Sequence, residues 1–173
     1  MNKIVVVYKS KYGKTKQYAE WIAKDLNAPI FESKNIKPSQ LNKYDVVIYG
    51  GGLYAGGING IKLVTKNPCK SLTLFTVGIS NPKNTNYTQI LEKALNYEQL
   101  SKTKVFHFRG GIDYSKLSLV HKGMMAIMKK LIEKKPLSER KSDDIGVLTT
   151  YGKNVDFSDK TSIKTLIKYV QTL

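Results

Sequence analysis

The chain has 173 residues, 41% hydrophobic and 24% charged, which excludes the disordered and fibrous classes and suits one folded domain over 1–173. Its 29 basic and 13 acidic residues leave a net charge of +16, and every basic residue except Arg109 and Arg140 is lysine. Such a field draws anions of many kinds, while lysine without interleaved arginine and aromatics argues against specific readout of nucleic acid.

Lys3 to Tyr8 (KIVVVY) is a β-branched apolar run expected to form a buried parallel strand, and the stretch from Met1 is too brief for a signal core or a membrane span. Ser10 to Thr15 is a loop, and Thr15 to Asn27 is an amphipathic helix with Tyr18, Ile22 and Leu26 on one stripe. Pro29 and Ile30 to Ser33 offer a weak second strand, and Asp45 to Tyr49 (DVVIY) a strong third. Gly50 to Gly57 is expected as a loop and Ile58 to Lys66 as a helix. The single cysteine, Cys69, excludes an intrachain disulfide; with two histidines it supplies a zinc site poorly, and a reducing cytoplasm is the expected compartment. Leu72 to Val77 (LTLFTV) is a strand, Thr85 to Leu95 a helix and Lys104 to Phe108 the last strand. Lys116 to Lys135 is an added helix within an insertion over about 112–142, and Thr161 to Val170 closes the chain as a helix. Strands alternating with helices imply an α/β, doubly wound, five-stranded parallel sheet with helices on both faces. In such sheets ligands bind outside the carboxyl ends of the strands, where strand order reverses.

Three loops fall at those ends. In the first, Ser10, Lys11, Tyr12, Gly13, Lys14 and Thr15 combine hydroxyls, a glycine and the amide-rich start of a helix, a cradle for a phosphate. It is not a Walker loop, because Tyr8 stands where that motif requires glycine. The pattern Ser-x-Tyr-Gly-x-Thr between strand and helix resembles the phosphate loop of the flavodoxin family, which implies FMN as cofactor. The second loop holds Gly51, Gly52, Leu53, Tyr54 and Ala55, and contains a G-x-G-x-x-A pattern. No Asp or Glu lies between Asp45 and Glu92 to bind a ribose, so a dinucleotide fingerprint is excluded. The resemblance instead lays this loop along the isoalloxazine. It places Gly78, Ile79, Ser80 and Asn81, with Tyr87 entering the next helix, on the other side of the ring.

Val105 to Tyr114 (VFHFRGGIDY) followed by the Lys116 to Lys135 helix resembles the menaquinone-dependent protoporphyrinogen oxidase branch of flavodoxin-like proteins. That likeness implies FMN-dependent oxidation of a porphyrinogen with a quinone as acceptor. It departs from the branch at Tyr54, where a basic residue often stands. Arg109, at a strand end beside two glycines, is a candidate for binding a substrate carboxylate, with a surface ion pair as the alternative. No side chain emerges as a catalytic acid or base, as befits chemistry carried by a flavin.

On a helical wheel Leu117, Val120, Met124, Ile127, Met128 and Leu131 form one arc, widened by Met125 and Ile132, while Lys122, Lys129, Lys130 and Lys134 face away. His121 falls inside the arc as a hydrogen-bonded core histidine. Residues 101–141 hold 11 basic and 3 acidic residues. The helix either covers the sheet or meets an anionic membrane at its inner face, or an acidic protein. Two further functions stay open: a flavodoxin-type electron carrier with no small-molecule substrate of its own, and a flavin-free basic domain that binds anions.

Overall fold

Apolar runs that alternate with amphipathic ones can bury both kinds of surface only by layering, and this chain does so with one sheet between two layers of helices. The structure, a computed structural model, describes residues 2–54 and 56–173. In chain order the regular elements begin with β1 (Ile4–Lys9), α1 (Lys14–Leu26), β2 (Ile30–Glu32), β3 (Val46–Tyr54) and β4 (Gly57–Ile58). Next come α2 (Lys62–Thr65), β5 (Ser71–Gly78), α3 (Thr88–Ala94), α4 (Tyr97–Lys102) and β6 (Lys104–Arg109). The last are β7 (Gly111–Asp113), α5 (Leu119–Glu133), α6 (Ser142–Thr150), β8 (Asn154–Asp156) and α7 (Lys164–Gln171). Five strands run parallel in the order β2-β1-β3-β5-β6, with β4 added antiparallel to the end of β3.

Side chains alternate across each strand, so each strand feeds both cores. Val6, Tyr8, Val46, Ile48, Phe75 and Phe108 pack with Tyr18 and Ile22 of α1 and Leu166 and Val170 of α7. Val5, Val7, Val47, Tyr49 and Leu74 face the other way, against Val64 of α2 and Leu95, with Ile90, Leu91 and Leu100 behind them.

Two expectations fail here. The glycine run expected as a loop from Gly50 continues as strand β3, with Gly50, Gly51 and Gly52 paired to Phe75, Thr76 and Val77. Glycine has low strand propensity, but a central strand held on both sides overrides it. A Cβ on Gly50 would stand 2.1 Å from Cζ at the tip of the Phe75 ring, so the missing side chain makes room for that ring. The helix expected over Ile58–Lys66 shrinks to the single turn of α2. Ile58 is spent on β4, and Gly60, at φ 72°, turns the chain in the left-handed region.

Other elements shift or appear. The third helix starts later, at Thr88. Helix α4, unanticipated, begins with a capping box in which Asn96 accepts from the Gln99 amide at 2.8 Å and the Gln99 side chain accepts from the Asn96 amide at 3.1 Å. The insertion is longer than expected. Its ends pair as the β7-β8 hairpin, and it contains α6, which Gly146 and its threonines concealed. Lys135 of the α5 end holds Asp144 of α6 at 2.9 Å.

Replacing Gly50 with alanine should cost about 1–3 kcal/mol, because the fully buried Phe75 must move. Gly123→Ala, inside α5 with open space at the new Cβ, should stabilise by about 0.5–1 kcal/mol. Urea unfolding of the two variants reads both values and their opposite signs.

Candidate functional site

Strand order reverses between β1 and β3, and the loops leaving these strands part around a cleft of about 340 Å³. Helix α5 closes its far side. The first loop enters the site through Gly13, whose φ of 91° lies in the left-handed region and whose amide donates to Ser10 Oγ at 3.1 Å. The first turn of α1 has neither a side-chain cap nor an acidic residue, so its free amides and the positive end of the helix dipole face the cleft unopposed. Thr15 is buried, and a Cβ on Gly52 would stand 3.2 Å from its Oγ1; the bare backbone of Gly52 leaves that hydroxyl its room.

Ser10, Lys11, Tyr12, Lys14, Thr15, Gly52, Leu53, Tyr54, Gly78, Ile79, Ser80 and Tyr87 all line the cleft, so the three chain segments read from the sequence do converge. Gly13 is not among the lining residues; its left-handed φ turns the first loop. Gly51 turns instead toward Ile58 and the backbone of Asn59. Asn81 caps the turn Pro82–Asn84 by accepting from the Lys83 amide at 3.1 Å. Ala55 lies outside the described residues.

Arg109 does not face the cleft. Its guanidinium donates from Nε to the Ile79 carbonyl at 3.0 Å and stacks 3.7 Å from the centre of the Phe157 ring. Its side chain fastens the third loop to the chain beyond β8, and among the described residues it makes no ion pair.

The wall that sequence reasoning missed comes from the insertion. Leu117, His121, Met124, Met125 and Met128 project into the cleft, joined by Gly110, Gly111, Ile112, Asp143 and Val147. The spacing of His121, Met124, Met125 and Met128 was the available signal, since it marks one helix face. The expected apolar arc is therefore split, with Val120, Ile127 and Leu131 outside and exposed.

His121 bolts this wall to the phosphate-type loop. Its Nε2 lies 2.9 Å from Lys11 Nζ, and its Nδ1 meets the Tyr12 hydroxyl. An ammonium can only donate, so Nε2 accepts and the ring proton sits on Nδ1, where it donates to Tyr12. That arrangement requires neutral imidazole, and burial first and the Lys11 charge second push the His121 pKa below its ordinary value. Tyr54 adds a hydrogen bond from its hydroxyl to Met124 Sδ at 3.3 Å.

Lys14 is anchored by Asp156 at 2.6 Å, which ties α1 to the hairpin at the root of the insertion. Burial would raise the Asp156 carboxyl, but hydrogen bonds from Lys14 and Ser158 outweigh it and hold the pKa at about 2. Behind the cleft His107 stacks on Tyr87 at 3.6 Å between ring centres and bonds Thr76 Oγ1 at 2.6 Å. Burial pushes it down to about 4.

A doubly wound parallel sheet whose first loop presents amides and hydroxyls at the switch point defines a class of small-ligand α/β proteins. Within it, the chain belongs to the flavodoxin domain family, whose model matches residues 5–139. A curated relative, an uncharacterized protein of Methanocaldococcus jannaschii, is 36% identical over 55 residues. That match spans 31% of this chain and only 37% of the relative's length. Among solved structures, the chain is similar to a flavodoxin, WrbA-like protein of Agrobacterium tumefaciens (21% identity, TM-score 0.47, 60% of this chain and 76% of that one). It is also similar to the Fusobacterium nucleatum flavodoxin bound to flavin mononucleotide (17% identity, TM-score 0.46, 67% and 74%).

The two histidines should titrate separately by NMR, His107 near pH 4 and His121 below 6.5. Lys11→Met should move His121 upward but not fully to 6.5, because burial remains. Both rings are favoured neutral in the fold, so the stability they contribute is complete above about pH 6.5 and falls away as pH drops toward 4. His107→Gln should flatten part of that fall in thermal unfolding measured against pH.

Proposed function

We propose that this chain binds FMN in the cleft and works as an FMN-dependent oxidoreductase. The carrying observation is the mixed lining of the cleft. Ser10, Thr15 and the uncapped start of α1 supply its donors, and Leu53, Tyr54, Ile79 and three methionines supply its apolar and aromatic walls. A phosphate would meet the donors and the positive dipole, and a flat ring the apolar and aromatic surface. The donor set fits the cofactor: Ser10 Oγ already accepts from the Gly13 amide, which leaves its proton to donate outward, and the Thr15 hydroxyl borders the bare Gly52 backbone. Membership of the flavodoxin domain family agrees with this fit.

When bound, the flavin supplies hydride or single-electron transfer at its ring. The protein's part is positional and electrostatic. The Ser10–Thr15 loop fixes the phosphate, β3 and the third loop hold the ring plane, and α5 excludes water. Neutral His121, through Tyr12 and Lys11, keeps the lid seated on the loop.

For the donor and acceptor we propose bulky, largely apolar cyclic molecules, of the porphyrinogen and quinone classes that the sequence resemblance implies. The polarizable methionine wall supports this reading, since thioethers adapt to irregular ring surfaces. A donor carboxylate would have to be met by Lys11 or another lysine, because Arg109 is engaged elsewhere. Electron carriage between proteins, without a substrate, is the second reading; exposed Tyr12 and Tyr54 at the cleft edge favour it.

Fluorescence titration of the apoprotein should show FMN quenched on binding. Thr15→Val and Ser10→Ala should each weaken FMN by roughly 10- to 100-fold, the worth of a hydrogen bond to a charged group, and leave riboflavin affinity nearly unchanged. No association, or equal losses for both ligands, refutes the phosphate assignment. Rapid anaerobic reduction by a porphyrinogen followed by reoxidation with a menaquinone analogue separates enzyme from carrier.

A further inference from the structure

The outer side of α5 carries an exposed apolar stripe that packing does not explain. Val120, Ile127 and Leu131 are 71%, 61% and 57% exposed, and their spacing puts them on one side of the helix. Met128, which is 42% exposed, joins the stripe to the mouth of the cleft. Of the lysines set away from the arc's centre, Lys130 and Lys134 adjoin the stripe along its Ile127 edge and make no salt bridge among the described residues. Lys11, at the opposite lip, points its ammonium at His121 and the Tyr54 ring. The stripe thus lies inside the most basic part of a chain of net charge +16.

We propose that this face docks on an anionic lipid bilayer, with the α5 stripe sunk among the acyl chains and the flanking lysines at the headgroups. A bilayer offers diffuse negative charge and apolar depth together, the two things this face presents together. The charge argues against a second copy, since two such faces would bring their lysines into apposition. The stripe is also the convex side of a helix, with no groove to hold a partner peptide. Docking this way turns the mouth of the cleft, through Met128, toward the membrane, so an apolar ligand dissolved in the bilayer reaches the site without crossing water. The inference stands whichever cofactor the cleft holds.

The test is co-sedimentation of the full chain with vesicles of phosphatidylglycerol mixed with phosphatidylcholine, and with phosphatidylcholine alone, in ~0.1 M salt. The chain should pellet with the anionic vesicles and stay in solution with the neutral ones. Ile127→Gln combined with Leu131→Gln should weaken binding roughly tenfold or more. Lys130→Gln and Lys134→Gln should each weaken it about fivefold. All four side chains are exposed, so unfolding temperature should not change, and the single variants I127Q and L131Q keep the test decisive should the double variant fail to fold. Equal recovery with both vesicle types overturns the proposal. So does full retention of anionic binding by the Ile127→Gln and Leu131→Gln variants, which would mean charge alone, or binding to polyglutamate in place of vesicles, which would mean an acidic protein surface.

Discussion

The placement of β1 between β2 and β3 is the constraint on which the rest of this molecule depends. Because the chain departs from β1 in one direction along the sheet and from β3 in the other, the two following connections cross opposite faces and cannot close over the gap between them. Every loop that matters is delivered to that gap by the parallel direction of the strands. The glycines at 50 to 52 serve the same constraint from below. They let β3 run through the middle of the sheet, past the Phe75 ring, until Leu53 and Tyr54 stand at the rim.

On this frame the insertion converts an open rim into a covered cleft. Its two ends are fastened to each other by the β7-β8 hairpin, and the hairpin is fastened to the first loop by Asp156 and Lys14. At its far side His121 grips the same loop through Tyr12 and Lys11. The first loop is therefore held from two directions by one segment. Methionines fill the space between, where rigid side chains would demand a fixed partner shape.

Much of the sheet could be read in advance because its evidence is local. Ile4–Lys9, Val46–Tyr49 and Ser71–Gly78 are short runs rich in apolar and β-branched residues, and α1 has a regular apolar stripe. The phosphate-type loop was legible for the same reason, since Ser10, Gly13 and Thr15 adjoin in sequence. What failed depended on distant partners. The Gly50–Gly52 strand exists because β1 and β5 pair with it on both sides, and Arg109 was misplaced because Phe157, 48 positions later, and Ile79 claim its guanidinium. His121 was correctly read as hydrogen-bonded, yet its partners come from a loop more than 100 residues earlier, which turned a core residue into a wall of the site.

The amino-acid sequence by itself determined the class of fold, the direction of the strands and the loop that sets amides and hydroxyls at the switch point. Each of these rests on hydrophobic period or on neighbouring residues, and both are written along the chain. Only the tertiary structure decided which face of α5 looks inward, which charges are already paired, and how the cleft is closed. Those follow from packing between segments far apart in sequence, where geometry chooses among side chains that composition and spacing leave equivalent.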